Sequence, residues 1–183
     1  MVSLEEMGQL KISHLITLLF EKLLIKLMNK LYRIKDSKID KKGLYAKKDI
    51  APGTRIIQYI GKLITKKQTE NNDKFDNDKD IYLFNLNNRY DLDGDFKWNT
   101  ARLINHSCDP NCEVEGKGLE IWVTSIRFIK KGEELSYDYG FGFDQDYKQF
   151  PCKCGSKKCC GYIVREGSRW RINKKFRVNK VSK

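Results

Sequence analysis

Two clusters in this chain carry residues suited to chemistry. In the first, Asn105-His-Ser-Cys-Asp-Pro-Asn-Cys112, a turn-forming proline gathers one of only two histidines with asparagines and two cysteines. The second is Cys152-Lys-Cys154-Gly-Ser-Lys-Lys-Cys159, of the form C-x-C-x4-C. Three thiolates on a tight loop can hold three corners of a zinc tetrahedron, and structural zinc is nearly always four-coordinate. Cys160 directly follows Cys159, and adjacent thiolates rarely reach one ion comfortably. The fourth ligand must then come from a distance, with Cys108, Cys112 and the histidines as candidates. Free or redox-active thiols are the competing reading of the same spacing.

The whole chain limits what these clusters can serve. Its 183 residues suffice for one domain with a sizeable core and short extensions. A hydrophobic content of 40% excludes a disordered protein. A formal charge of +12 points to an acidic partner such as nucleic acid, chromatin or an anionic membrane surface. Glu5 and Glu6 stand where a secretory leader would be basic, so the expectation is reduced thiols in an intracellular compartment.

The elements that would position the clusters are mostly β. Leu10–Tyr32 has apolar residues at helical spacing and reads as an amphipathic helix. Glu21, Lys22 and Lys26 interrupt it, so no transmembrane anchor is expected. Beyond it, GLYAKKDI, TRIIQYIGKLI, DIYLFNL, NRYDLD, LEIWVTSIRFI and EELSYDY read as strands. Turns at Pro52-Gly53, Asp93-Gly94, Gly116–Gly118 and Lys131-Gly132 separate them. Thr65–Asn71 and Thr100–Ile104 are candidates for short helices. Glu70, Asp73, Asp76, Asp78, Asp80, Asp91, Asp93 and Asp95 form an acidic island, either a solvated loop or a cradle for a basic peptide. The final stretch, REGSRWRINKKFRVNKVSK, interleaves cations with Trp170 and Phe176, as a solubilising tail or one that touches DNA or a nucleosome would.

Taken in order, four segments resemble the SET-domain protein-lysine methyltransferases that carry a cysteine-rich, zinc-binding post-SET segment. They are Gly43-Leu-Tyr-Ala with Asp49-Ile-Ala-Pro-Gly and Gln58-Tyr-Ile-Gly; Tyr82-Leu-Phe-Asn-Leu with Ala101-Arg-Leu-Ile-Asn-His-Ser-Cys-Asp-Pro-Asn-Cys; Gly132-Glu-Glu-Leu-Ser-Tyr-Asp-Tyr-Gly-Phe; and the C-x-C-x4-C run with Gly161-Tyr-Ile. The resemblance implies small curved β-sheets with a pseudoknot crossing. It divides the chain into an N-terminal helix over 1–32, a SET domain over 33–141 with an acidic insert at about 66–100, a post-SET segment over 142–165 and a basic tail over 166–183.

The resemblance also implies the site. Cys108 would be the fourth zinc ligand beside Cys152, Cys154 and Cys159, leaving Cys112 outside the set. Asn105 and His106 would hold the adenine end of S-adenosylmethionine. Tyr82, Arg102 and Lys153 would flank the cofactor, and the loop Asp40, Lys42, Gly43, Leu44 would pass its methionine end. The family's first loop glycine is replaced here by Lys41, and the family's glutamates are missing around Gln58–Lys62. Tyr139 matches the catalytic tyrosine, while Tyr59 and Tyr137 match aromatics lining a channel for the substrate lysine. A tyrosine at Tyr137, where other members have phenylalanine, implies mainly mono- and dimethylation. The implied substrate is a basic protein such as a histone tail, and the implied setting is nucleus or chromatin for a histone substrate and cytoplasm otherwise. Two rivals are a non-enzymatic, zinc-stabilised chromatin- or nucleic-acid-binding module and a methyltransferase acting on a non-histone basic protein.

Overall fold

The computed structural model describes residues 30–75 and 82–176. The helix expected over Leu10–Tyr32 falls almost wholly outside them, and Tyr32 itself opens a strand. Among the described residues, ten short strands form four small sheets. β1 (Tyr32–Asp36) and β2 (Lys42–Ala46) make an antiparallel hairpin. β3 (Arg55–Tyr59), β8 (Cys112–Lys117) and β9 (Glu120–Ser125) pair in the order β3-β9-β8. β4 (Lys62–Thr65), β5 (Leu83–Asn85) and β6 (Tyr90–Asp93) pair in the order β4-β6-β5. The last sheet is a two-residue parallel pair, β7 (Asn105–His106) against β10 (Ser136–Tyr137). That pair lays the His-Cys motif beside the Tyr-Asp-Tyr motif.

The mostly-β architecture is as expected, but the strands differ in detail. TRIIQYIGKLI breaks at Ile60-Gly61 into β3 and β4, which belong to different sheets. A side chain at Gly61 would overlap the carbonyl of Asp93, so the bend is open to glycine alone. EELSYDY shrinks to two paired residues because neighbouring segments take its donors: Leu135 N–H donates to Leu44 O of β2, and Ser136 N–H to the Asn111 side-chain Oδ1. β1 and β8 carry weak apolar alternation, and β1 is almost wholly exposed, so the sequence gives little signal for either. Lys66–Glu70 is helical, and Thr65 and Gln68 form a reciprocal capping box at its start.

The core is built from Leu44 and Ala46 of β2, Ile121 and Val123 of β9, and Ile50, Ile129 and Leu135 between them. Val164 joins it from beyond the cysteine cluster. The basic stretch that follows folds in 3-10 turns, Glu166–Arg171 and Lys174–Phe176, and buries Ser168 and Arg169. The acidic island is partly consumed internally. Asp91 and Asp93 lie on the central strand β6, are buried, and pair with Lys66 and Lys74. A buried carboxylate needs such a partner. Asp95 lies 3.8 Å from Arg102.

Candidate active site

The two-residue β7–β10 pair decides what the site is made of. It sets Tyr137 and Tyr139 next to Ile104–His106, and a row of rings extends from them. Tyr59 meets Phe84 edge-on with centroids 4.5 Å apart. Phe84 lies 6.2 Å from Tyr137, Tyr137 lies 4.9 Å from Tyr139, and Tyr139 lies 5.9 Å from Phe141. Phe141 then meets Phe150 at 5.1 Å. Two hydroxyls of this row are tied to backbone: Tyr59 donates to Tyr82 O at 3.3 Å, and Tyr139 to Ile104 O at 3.0 Å. Burial raises the pKa of Tyr59, helped by the neighbouring Tyr139, and burial likewise raises that of Tyr137. Both phenols are therefore neutral donors at any physiological pH. A side chain at Gly94 would overlap the Tyr59 ring, so this end of the row rests directly on main chain.

A cavity of about 570 Å³ opens along this row. Asp40, Lys42, Tyr82, Arg102, Asn105, His106 and Lys153 line it together with Tyr59, Tyr137 and Tyr139. Gly43 and Leu44 do not. Leu44 is fully buried in the core, and a side chain at Gly43 would run into the Glu134 carboxylate. The Glu134 carboxylate therefore leaves room for glycine alone at this position. Sequence reasoning passed over Phe84, Phe141 and Phe150. Phe141 did have a signal, since aromatics fall at every second position in Tyr137-Asp-Tyr-Gly-Phe141. Phe150 is brought in from the segment before the cysteines and had none.

Glu134 was also passed over, although it organises the loop. Its Oε1 accepts from Ser37 Oγ at 2.6 Å and from Asn105 Nδ2 at 2.9 Å, and its Oε2 accepts from Tyr45 OH at 2.8 Å. The Asn105 amide also reaches Asp40 O and Lys42 O, each at 3.2 Å. Its NH₂ group therefore holds the 40–42 loop against the cavity wall. Within that loop Lys41 has φ of 43°, the left-handed region where glycine is favoured. This is the position of the missing family glycine.

His106 connects the cavity to the cysteines. Tyr139 N–H donates to its Nδ1 at 3.2 Å, so the ring proton sits on Nε2, which lies 3.5 Å from Cys108 Sγ. Burial lowers the histidine's pKa to about 4; Asp138 opposes the shift and Arg169 reinforces it, so the ring stays neutral.

The sulfurs of Cys108, Cys152, Cys154 and Cys159 all lie within 4.8 Å of one another. Cys108 and Cys152 Sγ are 3.8 Å apart. A tetrahedron with Zn–S bonds of about 2.3 Å has edges of about 3.8 Å, so the set fits zinc. Backbone N–H groups point at the sulfurs: Cys108 N at Cys154 Sγ and Cys154 N at Cys152 Sγ, both at 3.5 Å, and Gly161 N at Cys159 Sγ at 3.4 Å. The Cys152 thiol and then burial hold the Cys108 thiol far up, a conflict between adjacent sulfurs that a dication removes. Cys112 is buried against Asn111 Oδ1, and Cys160 Sγ faces Tyr162 O at 3.2 Å; neither joins the set.

A SET-domain family model matches residues 41–140. The chain therefore belongs to the SET-domain family. Among curated relatives it is 41% identical over 129 residues to histone-lysine N-methyltransferase 2D of Homo sapiens, covering 67% of this chain and 2% of that protein. It is 38% identical over 133 residues to histone-lysine N-methyltransferase trithorax of Drosophila virilis, covering 69% and 3%. To histone-lysine N-methyltransferase set-2 of Caenorhabditis elegans it is 38% identical over 146 residues, covering 76% and 10%. The chain thus spans only a small fraction of the length of these relatives.

Proposed function

We propose that this chain is a protein-lysine N-methyltransferase that moves a methyl group from S-adenosylmethionine to a lysine of a basic protein, a histone tail above all. The observation that carries this reading is the row of Tyr59, Tyr137 and Tyr139, the first two buried and neutral, opening on a cavity that Cys152 and Lys153 of the cysteine segment also line. Similarity to proteins named histone-lysine N-methyltransferases supports the substrate class.

S-adenosylmethionine, when bound, supplies an electrophilic methyl on a positively charged sulfur. The lining suits it: Asp40 can meet an ammonium, Lys42 and Lys153 a carboxylate, and Tyr82 offers a ring face with the Arg102 guanidinium 5.5 Å from its centre. Zinc, held by Cys108, Cys152, Cys154 and Cys159, would fasten the segment carrying Lys153 and Phe150 beside the cavity. Only a neutral amine can attack. Lysine titrates near 10.4, so about one in a thousand molecules is competent at pH 7.4. The aromatic row disfavours the ammonium by desolvation and lowers that pKa. Among the described lining residues Asp40 is the one carboxylate, so the proton leaves through water rather than to a strong base. Tyr59, Tyr137 and Tyr139 orient the amine and the methyl, and positioning of this kind supplies several kcal/mol of a barrier. The hydroxyl of Tyr137 in the row limits the product to mainly mono- and dimethyl-lysine.

Action on histones places the protein at chromatin. Exposed Lys174 and Lys175 beside half-exposed Trp170 would contact nucleosomal DNA. Among the described residues, no helix is long and apolar enough to cross a membrane. The decisive assay incubates zinc-loaded protein and labelled S-adenosylmethionine with purified histones and other basic proteins. Label should enter a histone tail, and Tyr139→Phe should lower the rate about 100-fold. Label in none of the substrates, or an unaffected Tyr139→Phe, would remove the enzyme reading.

A further inference from the structure

Arg169 lies beyond both the family match and the last cysteine, in the stretch that its composition marks as a solvated tail. It is 3% exposed. Its guanidinium makes three hydrogen bonds to three separate segments. Nε donates to Val164 O at 2.8 Å, Nη1 to Cys108 O at 2.7 Å, and Nη2 to Asp138 Oδ2 at 2.6 Å. Cys108 belongs to the sulfur cluster, and Asp138 stands between the two channel tyrosines. The same Asp138 oxygen accepts from Glu166 N at 3.0 Å, while Oδ1 accepts from Gly140 N at 3.0 Å. Arg165 N donates to Phe141 O at 2.9 Å, so residues 165–169 run alongside 138–141.

A planar fork is needed to hold two carbonyls and a carboxylate at once, and an ammonium cannot reproduce it. A buried guanidinium also has to keep its carboxylate, since losing either partner leaves a buried charge uncompensated. Tyr139 is held by its own N–H on His106 and its hydroxyl on Ile104 O. Asp138 and Gly140 flank it, so whatever fixes Asp138 fixes where Tyr139 starts.

We propose that Arg169 is a positioning residue: it couples the metal-binding loop at Cys108 to the Tyr137-Asp138-Tyr139 segment, so that assembling the cysteine cluster and aligning the channel tyrosines are one event. The effect on turnover rests on the methyltransferase reading; the coupling does not.

The test compares wild type, Arg169→Lys, Arg169→Ala and Arg171→Ala, all zinc-loaded, by amide hydrogen exchange and steady-state kinetics. Arg171→Ala removes the same charge from the exposed part of the same turn and controls for net charge. Arg169→Lys should speed exchange at residues 108 and 138–141 at least 10-fold, leave the β8–β9 ladder unchanged, and lower kcat at least 10-fold with peptide KM within 3-fold. Arg169→Ala should do the same more strongly, and Arg171→Ala should match wild type in both readouts. Uniform loss of protection including β8–β9 would make Arg169 a general stability residue and overturn the proposal. So would exchange unchanged at 138–141, or kcat unchanged in an active enzyme. If no protein methylates any substrate but the local exchange pattern is found, the coupling stands and the methyltransferase reading falls.

Discussion

Replacing Glu134 with alanine tests how the 37–42 loop is held. The carboxylate receives Ser37 Oγ, Tyr45 OH and Asn105 Nδ2. Hydrogen bonds to charged groups contribute about 1.5–3 kcal/mol each when buried. Here Ser37 and Tyr45 are part-exposed and can turn to water, and Asn105 keeps Asp40 O and Lys42 O. A net loss of about 2 kcal/mol follows, borne by the 37–42 loop. If the loop must be ordered to bind S-adenosylmethionine, that loss weakens binding about 30-fold, at tenfold per 1.4 kcal/mol. Glu134→Gln keeps an acceptor for Ser37 and Asn105, and its amide can donate to Tyr45, so affinity should stay within about 3-fold of wild type. The assay is calorimetric titration of zinc-loaded protein, with zinc content and thermal melting measured in parallel. A coupled check comes from Gly43, whose added methyl would strike the Glu134 carboxylate. Gly43→Ala should be costly in the native background and much milder beside Glu134→Ala. Wild-type affinity in Glu134→Ala, or strictly additive effects of the two substitutions, would refute the reasoning.

Other consequences are open to direct measurement. Tyr137→Phe should shift products toward trimethyl-lysine by mass spectrometry; wild type that already yields mostly trimethyl-lysine would contradict the role given to this hydroxyl. Cys108→Ser should weaken zinc by more than the roughly 10–100-fold that an outer partner costs, whereas Cys112→Ser should retain the metal, as atomic absorption after dialysis can show. Lys41→Gly relieves a left-handed residue that costs about 1–2 kcal/mol, offset by about 0.5–1 kcal/mol of added unfolded-state freedom. Its melting temperature should therefore rise by about 2 °C, and a fall would mean that the lysine's contacts outweigh its strain.

Much of the site was legible because chemistry in this fold is carried by short local motifs. Asn105-His106, Tyr137-Asp-Tyr139 and the C-x-C-x4-C run are contiguous, and their residue types and order are visible without any fold. The mostly-β character was legible for the same reason: turns and apolar alternation are local signals. Tertiary structure alone decided the rest, because it depends on what is brought together across long stretches of chain. That Gly43 is small for Glu134 depends on residues 91 positions apart in the numbering of one hydrogen-bonded neighbourhood. That Asp91 and Asp93 are spent on Lys66 and Lys74 depends on β6 lying between β4 and β5. Arg169 shows the limit most plainly: by composition a cation in a basic tail is a solvated charge, and only a pocket lined by the nearby Val164 carbonyl and by a carbonyl and a carboxylate from distant segments makes it an interior residue.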